Sequence, residues 1–162
     1  EIAEKNSMKV THVKPHGALN NMACENFELA SVIAKSIIQI NKSLIFLVPT
    51  GSEMENAGKK LGMKIASEIF ADRNYEDDGN LVSRSKNNAL ITDPEAAKNH
   101  VIKMVKSQAL NCFSGKQIPC DIDSICVHGD GKTAVKTADE IRKGLIKNGV
   151  TLRPLDMMSK FA

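Results

Sequence analysis

Tryptophan is absent from this chain of 162 residues, and aromatic side chains make up only 4% of it. Nucleic-acid-binding modules usually combine clustered basic charge with aromatics. Here the formal charge is +3, and the lysines of the last thirty or so residues alternate with apolar positions, as on a solvated helix face. Nucleic acid is therefore not an expected partner. No apolar run reaches bilayer length, and the longest, such as residues 43–48, are strand-sized, so no membrane association is expected. The opening Glu-Ile-Ala-Glu-Lys-Asn is polar and acidic, unlike a signal peptide. Glu1 stands where an initiator Met would, and further sequence upstream is expected. Neither a P-loop nor a Gly-x-Gly-x-x-Gly run is present, so no nucleotide site is visible from spacing. Cys24, Cys112, Cys120 and Cys126 form no Cys-x-x-Cys pair, and no histidine stands at zinc-finger distance from them. Four reduced thiols in a cytoplasmic protein is the expected state.

What is present is an alternation of strand-like and helix-like segments. The length fits one domain. Residues 8–14 read as a strand and 26–40 as a helix with Phe27, Ala30, Ala34, Ile37 and Ile38 on one side. Residues 44–48 form a buried-type strand, 52–61 a short helix ended by Gly62, and 64–70 a third strand. A polar loop follows to about Leu90, longer than connections usually are. Asp93-Pro94-Glu95 supplies a cap, a first-turn proline and a first-turn acid for a helix to about Leu110. Residues 124–128 read as a fourth strand. Residues 133–148 read as a helix with Ala134, Ala138, Ile141 and Leu145 in one stripe, closed by Gly149, and 150–152 start a fifth strand. Such alternation implies a parallel α/β sheet with right-handed crossovers. Five units do not close an eight-unit barrel, so the chain is either an open sheet or part of a barrel.

Chemistry in parallel α/β folds gathers at the C-terminal ends of strands. Three predicted strand ends carry it: Lys14-Pro15-His16-Gly17, Glu68-Ile69-Phe70-Ala71-Asp72-Arg73 and His128-Gly129-Asp130-Gly131. Period-two alternation puts Ser124, Cys126 and His128 on one strand face, opposite Ile125 and Val127, and Glu68 opposite Ile69. Each of these residues also has a structural reading. Lys14 before Pro15 marks a strand end, His16 suits a helix cap, and Glu68 with Arg73 suits an ion pair. His12 reads as a packed strand residue, His100 as a helix-surface residue, and Asp77-Asp78-Gly79 as a turn. Ser52 and Glu55 match a capping box, while Gly51 ahead of that helix suits an anion at a helix N-terminus.

The segments Lys-Pro-His-Gly-Ala-Leu (14–19), Glu-Ile-Phe-Ala-Asp-Arg (68–73), Asp-Gly-Asn-Leu-Val-Ser-Arg (78–84), Ala-Leu-Ile (89–91) and Ser-Ile-Cys-Val-His-Gly-Asp (124–130) together resemble the LamB/YcsF family in order and spacing over nearly the whole chain. Asn20 departs from its usual Tyr, Ser83 from its Pro and Asn88 from its Gly. The resemblance implies a parallel (β/α) barrel of the glycoside hydrolase/deacetylase type, here incomplete and lacking its N-terminal strands. It implies ATP-dependent hydrolysis of the cyclic amide 5-oxoproline to glutamate by a 5-oxoprolinase A subunit, with B and C subunits as partners. On that resemblance His16 and His128 are the candidates for general acid and base, and Asp72 and Asp130 orient a histidine or hold a divalent metal ion. Lys14, Glu68, Arg73 and Arg84 are the substrate-binding candidates. The alternative is a metal-dependent carbohydrate deacetylase on the same barrel type, with His16, Asp72, His128 and Asp130 as ligands. The open edges of an incomplete barrel also predict self-association.

Overall fold

A computed structural model describes residues 1–161. The elements are α1 (Ile2–Lys5), β1 (His12–Val13), α2 (Gly17–Glu25), α3 (Phe27–Asn41), β2 (Ile45–Pro49), α4 (Glu53–Lys60), β3 (Ile65–Phe70), α5 (Pro94–Ser107), β4 (Ala109–Asn111), β5 (Gln117–Pro119), β6 (Ser124–Cys126) and α6 (Ala134–Lys147). The fold is α/β. β1 pairs with β2 in parallel, β3 pairs with β6 in parallel, and β4 and β5 form an antiparallel hairpin. Two compact units are formed: Glu1–Ser67 with the stretch from Arg153 onward, and Glu68–Leu152. The chain passes from one to the other within β3.

In the first unit β2 is buried along its whole length. Phe46 and Val48 pack with Ala23, Ala30, Ala34, Met54 and Ala57, and the alternate residues Ile45 and Leu47 pack with Ala66 and Phe161. This is the two-faced burial of a strand that lies between layers. Helix α3 starts at Asn26, whose Oδ1 accepts the Leu29 N–H at 2.9 Å, and buries Ala30, Ala34 and Ile37 at helical spacing. Gly58 lets α4 lie against the strands, since a Cβ there would come within 2.3 Å of Ile65 Cδ1.

The start of α4 is built around Glu55. Ser52 Oγ accepts the Glu55 N–H at 3.3 Å, as a capping box requires. The carboxylate reaches one residue further back than the usual box and accepts the Gly51 N–H at 2.5 Å. It also accepts from Ser67 Oγ at 2.9 Å and pairs with Lys59 at 2.8 Å. The anion expected beside Gly51 is thus the chain's own carboxylate. Burial pushes the Glu55 carboxyl up, but the bonds from Lys59, Gly51 and Ser67 outweigh it and hold the group below its ordinary value. A carboxyl with a lowered folded pKa stabilises the fold above its unfolded pKa, and that contribution disappears as pH falls through the folded value. Glu55→Gln is therefore expected to cost about 1–3 kcal/mol at pH 7 and to flatten the acid limb of the stability curve. Urea unfolding at pH 7 and pH 4 measures both. Equal losses at the two pH values would contradict the charged network.

The second unit holds the remaining half of β3, and its register with β6 is Glu68↔Ser124, Ile69↔Ile125 and Phe70↔Cys126. Helix α5 begins as its sequence predicts, with Asp93 Oδ2 accepting the Ala96 N–H at 2.7 Å and Pro94 in the first turn. It ends before Leu110, because Gln108 turns left-handed at φ 49° and the chain enters the β4–β5 hairpin. Leu110 faces Ile118 across that hairpin and is buried there. Helix α6 packs on α5 at Gly144, where a Cβ would meet Lys98 at 2.8 Å. Its buried stripe is Thr137, Ile141, Gly144 and Leu145, and Ala138 is exposed.

Four further expectations are corrected. Residues 150–152 form no strand: Gly149 is left-handed, and Val150 N–H returns to Leu145 O at 3.0 Å as the closing bond of a Schellman cap. The first strand is confined to His12–Val13, with Met8 and Val10 exposed. His12 is exposed as well, its Nδ1 2.9 Å from Thr11 Oγ1. His100 is tucked in, stacked on Tyr75 with ring centroids 6.3 Å apart, and its buried Nε2 has no hydrogen bond; burial lowers its pKa.

Candidate active site

Parallel pairing brings the ends of β3 and β6 abreast. Phe70 stands opposite Cys126, so Asp72 and His128, each two residues further on, project on the same side. His128 Nδ1 lies 2.9 Å from Asp72 Oδ1 and 2.8 Å from Oδ2. The His128 backbone N–H also donates to Asp72 Oδ2, at 3.3 Å. A carboxylate only accepts, so the imidazole proton sits on Nδ1. Phe70 completes the support, its ring stacked on the imidazole at 5.8 Å with 18° between planes. Carboxylate and phenyl ring together fix where the histidine points. Nδ1 is committed, and Nε2 makes no hydrogen bond among the described residues. Both side chains remain partly exposed, at 30% for His128 and 19% for Asp72.

A cavity of about 130 Å³ opens beside this pair. That is room for several waters, and hence for a small molecule. Asp72, His128, Arg84 and Asp130 line it, together with the apolar Leu90 and Val127. Arg84 and Asp130 are exposed, and the Arg84 guanidinium forms no hydrogen bond or ion pair among the described residues. Two other candidates from the same strand end do not line the cavity. Glu68 is buried under the site, where Ser124 Oγ donates to its Oε1 at 3.4 Å. Arg73 is buried and donates from Nη2 to Val82 O at 2.6 Å and from Nε to Ala89 O at 3.3 Å. It ties the long loop down and makes no ion pair with Glu68. Burial lowers its pKa, and Arg84 adds to that.

Lys14 and His16 belong to the first unit, just past β1. Lys14 is partly buried. His16 is exposed at the N-cap of α2, extended, and makes no side-chain capping bond. Helix α2 was not expected from the sequence because its first residue is a glycine at φ 62° and no side chain caps it. Among the described residues, no three His, Cys, Asp or Glu side chains gather as metal ligands would. All four cysteines are free thiols.

Thr133 and Thr137, which the sequence did not single out, line the cavity from the start of α6. The signal was the spacing of two threonines four residues apart next to the His-Gly-Asp-Gly run.

The LamB/YcsF family profile matches residues 1–160. Relatives named as the A subunit of 5-oxoprolinase include that of Clostridium beijerinckii, 48% identical over 91% of this chain and 58% of its own length. That of Rhodopseudomonas palustris is 45% identical over 90% of this chain and 58% of its own length. The chain thus spans a little under three fifths of the length of these relatives. A crystal structure of the lactam utilization protein from Thermus thermophilus superimposes with a TM-score of 0.83 at 31% identity, covering 93% of this chain and 60% of that one.

Proposed function

The chain belongs to the LamB/YcsF family, and on that premise we propose that it is part of a 5-oxoprolinase A subunit, with His128 as the acid–base group that opens the lactam of 5-oxoproline to give glutamate. The observation that carries this reading is the Asp72–His128 pair at the cavity: an imidazole with Nδ1 held by a carboxylate and Nε2 uncommitted. An amide is a poor electrophile because resonance loads its carbonyl. ATP supplies the activation, by phosphorylation of the carbonyl oxygen. His128 Nε2 then takes a proton from the attacking water as its oxygen bonds to the carbonyl carbon. Asp72 stabilises the imidazolium so formed. The same proton passes to the ring nitrogen as the C–N bond breaks, leaving the amine and a γ-glutamyl phosphate, which a second water hydrolyses to inorganic phosphate and the carboxylate of glutamate. Asp130 and Arg84 line the cavity as a carboxylate and a cation able to meet the polar groups of the substrate.

In this proposal the A subunit works with B and C subunits, in the cytoplasm, and the chain forms part of a (β/α) barrel. No helix among the described residues is long and apolar enough to cross a membrane. The test is reconstitution. Full-length protein with its partner subunits, given 5-oxoproline and ATP, is expected to release glutamate and ADP in equal amounts. A preparation with stoichiometric zinc that deacetylates a carbohydrate and leaves 5-oxoproline untouched would replace this reading with that of a metal-dependent deacetylase.

A further inference from the structure

We propose that the cavity beside His128 contains an oxyanion subsite made of Arg84 and the Thr137 hydroxyl at the start of α6, and that it holds the carboxylate of the lactam acid. The identity of the ligand rests on the oxoprolinase reading; the existence of the subsite does not.

Thr137 is 5% exposed and lines the cavity, yet its hydroxyl makes no hydrogen bond among the described residues. A helical threonine usually satisfies its hydroxyl on the carbonyl four residues back. Here Thr133 O takes the Thr137 N–H at 2.8 Å and not the hydroxyl. The Thr137 hydroxyl is therefore an uncommitted donor on the cavity wall, able to meet a ligand. The Thr133 hydroxyl is used differently. It donates to Thr92 O at 3.2 Å and so fixes the start of α6 to the segment that forms another part of the wall.

The first turn of α6 has no side-chain cap and no acidic residue. The Ala134 N–H there is taken by Gly131 O at 3.0 Å, so the helix start contributes its dipole to the cavity wall and no free N–H of Ala134. Arg84 adds a full positive charge in the same lining. Two carboxylates face the cavity as well. Asp72 is committed to His128, and Asp130 remains to accept a lactam N–H. Donors for a carboxylate, an acceptor for an N–H and apolar walls for ring methylenes together describe a small cyclic amide acid.

Full-length protein with its partner subunits is assayed as wild type, Arg84→Met, Thr137→Val and Thr137→Ser, each checked for an unchanged melting temperature. KM for 5-oxoproline is expected to rise about tenfold in Thr137→Val and about a hundredfold in Arg84→Met, as loss of one neutral and one charged hydrogen bond predicts. KM for ATP stays constant, and Thr137→Ser, which keeps the hydroxyl, stays near wild type. An unchanged KM for 5-oxoproline in both folded variants overturns the subsite. A rise in KM for ATP alone overturns the carboxylate assignment, since the subsite would then hold a phosphoryl group. If Thr137→Val does not fold, Arg84→Met decides, because Arg84 is exposed. If the wild type neither binds nor hydrolyses 5-oxoproline, the oxoprolinase reading fails by itself. Calorimetry with inorganic phosphate then decides the subsite, which stands only if phosphate binds the wild type and not the two variants.

Discussion

Replacing His128 with alanine in the full-length enzyme, assayed with its partner subunits, is expected to lower turnover by about 10²–10⁴-fold. The melting temperature should move little, because His128 is partly exposed and, among the described residues, its ring makes hydrogen bonds only to Asp72 and stacks on Phe70. Asp72→Asn is expected to produce a loss of the same kind. An amide in that position offers an N–H as well as an oxygen, so the proton is no longer held on Nδ1 and the ring loses its electrostatic partner. Groups that act as a unit are non-additive, so the double variant should be hardly slower than His128→Ala alone. A structural histidine behaves in the opposite way: the folded fraction keeps its turnover and the melting temperature drops. That result, or fully additive losses in the double variant, would remove His128 from the chemistry.

Arg73→Met should be the most destabilising change at the site without touching the reacting groups. Val82 O loses its side-chain donor, and Ala89 O keeps only the Asn74 N–H at 3.2 Å. An orphaned buried carbonyl costs about 1–3 kcal/mol and a second lost bond about 0.5–1.5 kcal/mol, so about 2–4 kcal/mol is expected in total from urea unfolding. Arg73→Lys should recover little, since one ammonium does not reproduce a fork that spans two carbonyls. The functional consequence follows from position. Arg84 and Leu90 are carried by the same tied loop and line the cavity, so KM for substrate should rise in the fraction that remains folded. Hydrogen exchange at the Asn74 and Val82 amides, which bond to Ala89 O and Asn74 O, reports the loosening directly. Unchanged exchange at those amides, with stability within about 0.5 kcal/mol of wild type as for an ordinary surface change, would show that the guanidinium does not hold the loop.

The helices were legible where their ends are chemical. Asn26, Ser52 and Asp93 each cap the helix that follows, and each has a side-chain acceptor three residues before an otherwise unpaired N–H. Helix α2 has no such signal, and β4 and β5 are three residues each, too short for a period to show. Val150 looked like the start of a strand because a β-branched residue after a glycine suits one, but its N–H closes α6 instead.

The site divides along the same line. Composition and local pattern established an α/β chain and placed Asp72, His128 and Asp130 at strand ends, because strand phase and caps are set within a few residues. The pairing of Asp72 with His128 joins residues 56 apart, and only the register of β3 against β6 creates it. Tertiary structure also separated Arg73 from Arg84. Both are arginines of the same loop, and no local feature says which will be buried on carbonyls and which will face the cavity. His100 and Thr137 were decided in the same way, by what packs over them. A side chain's chemistry depends on which donors, acceptors and apolar walls surround it, and folding brings those from distant parts of the chain.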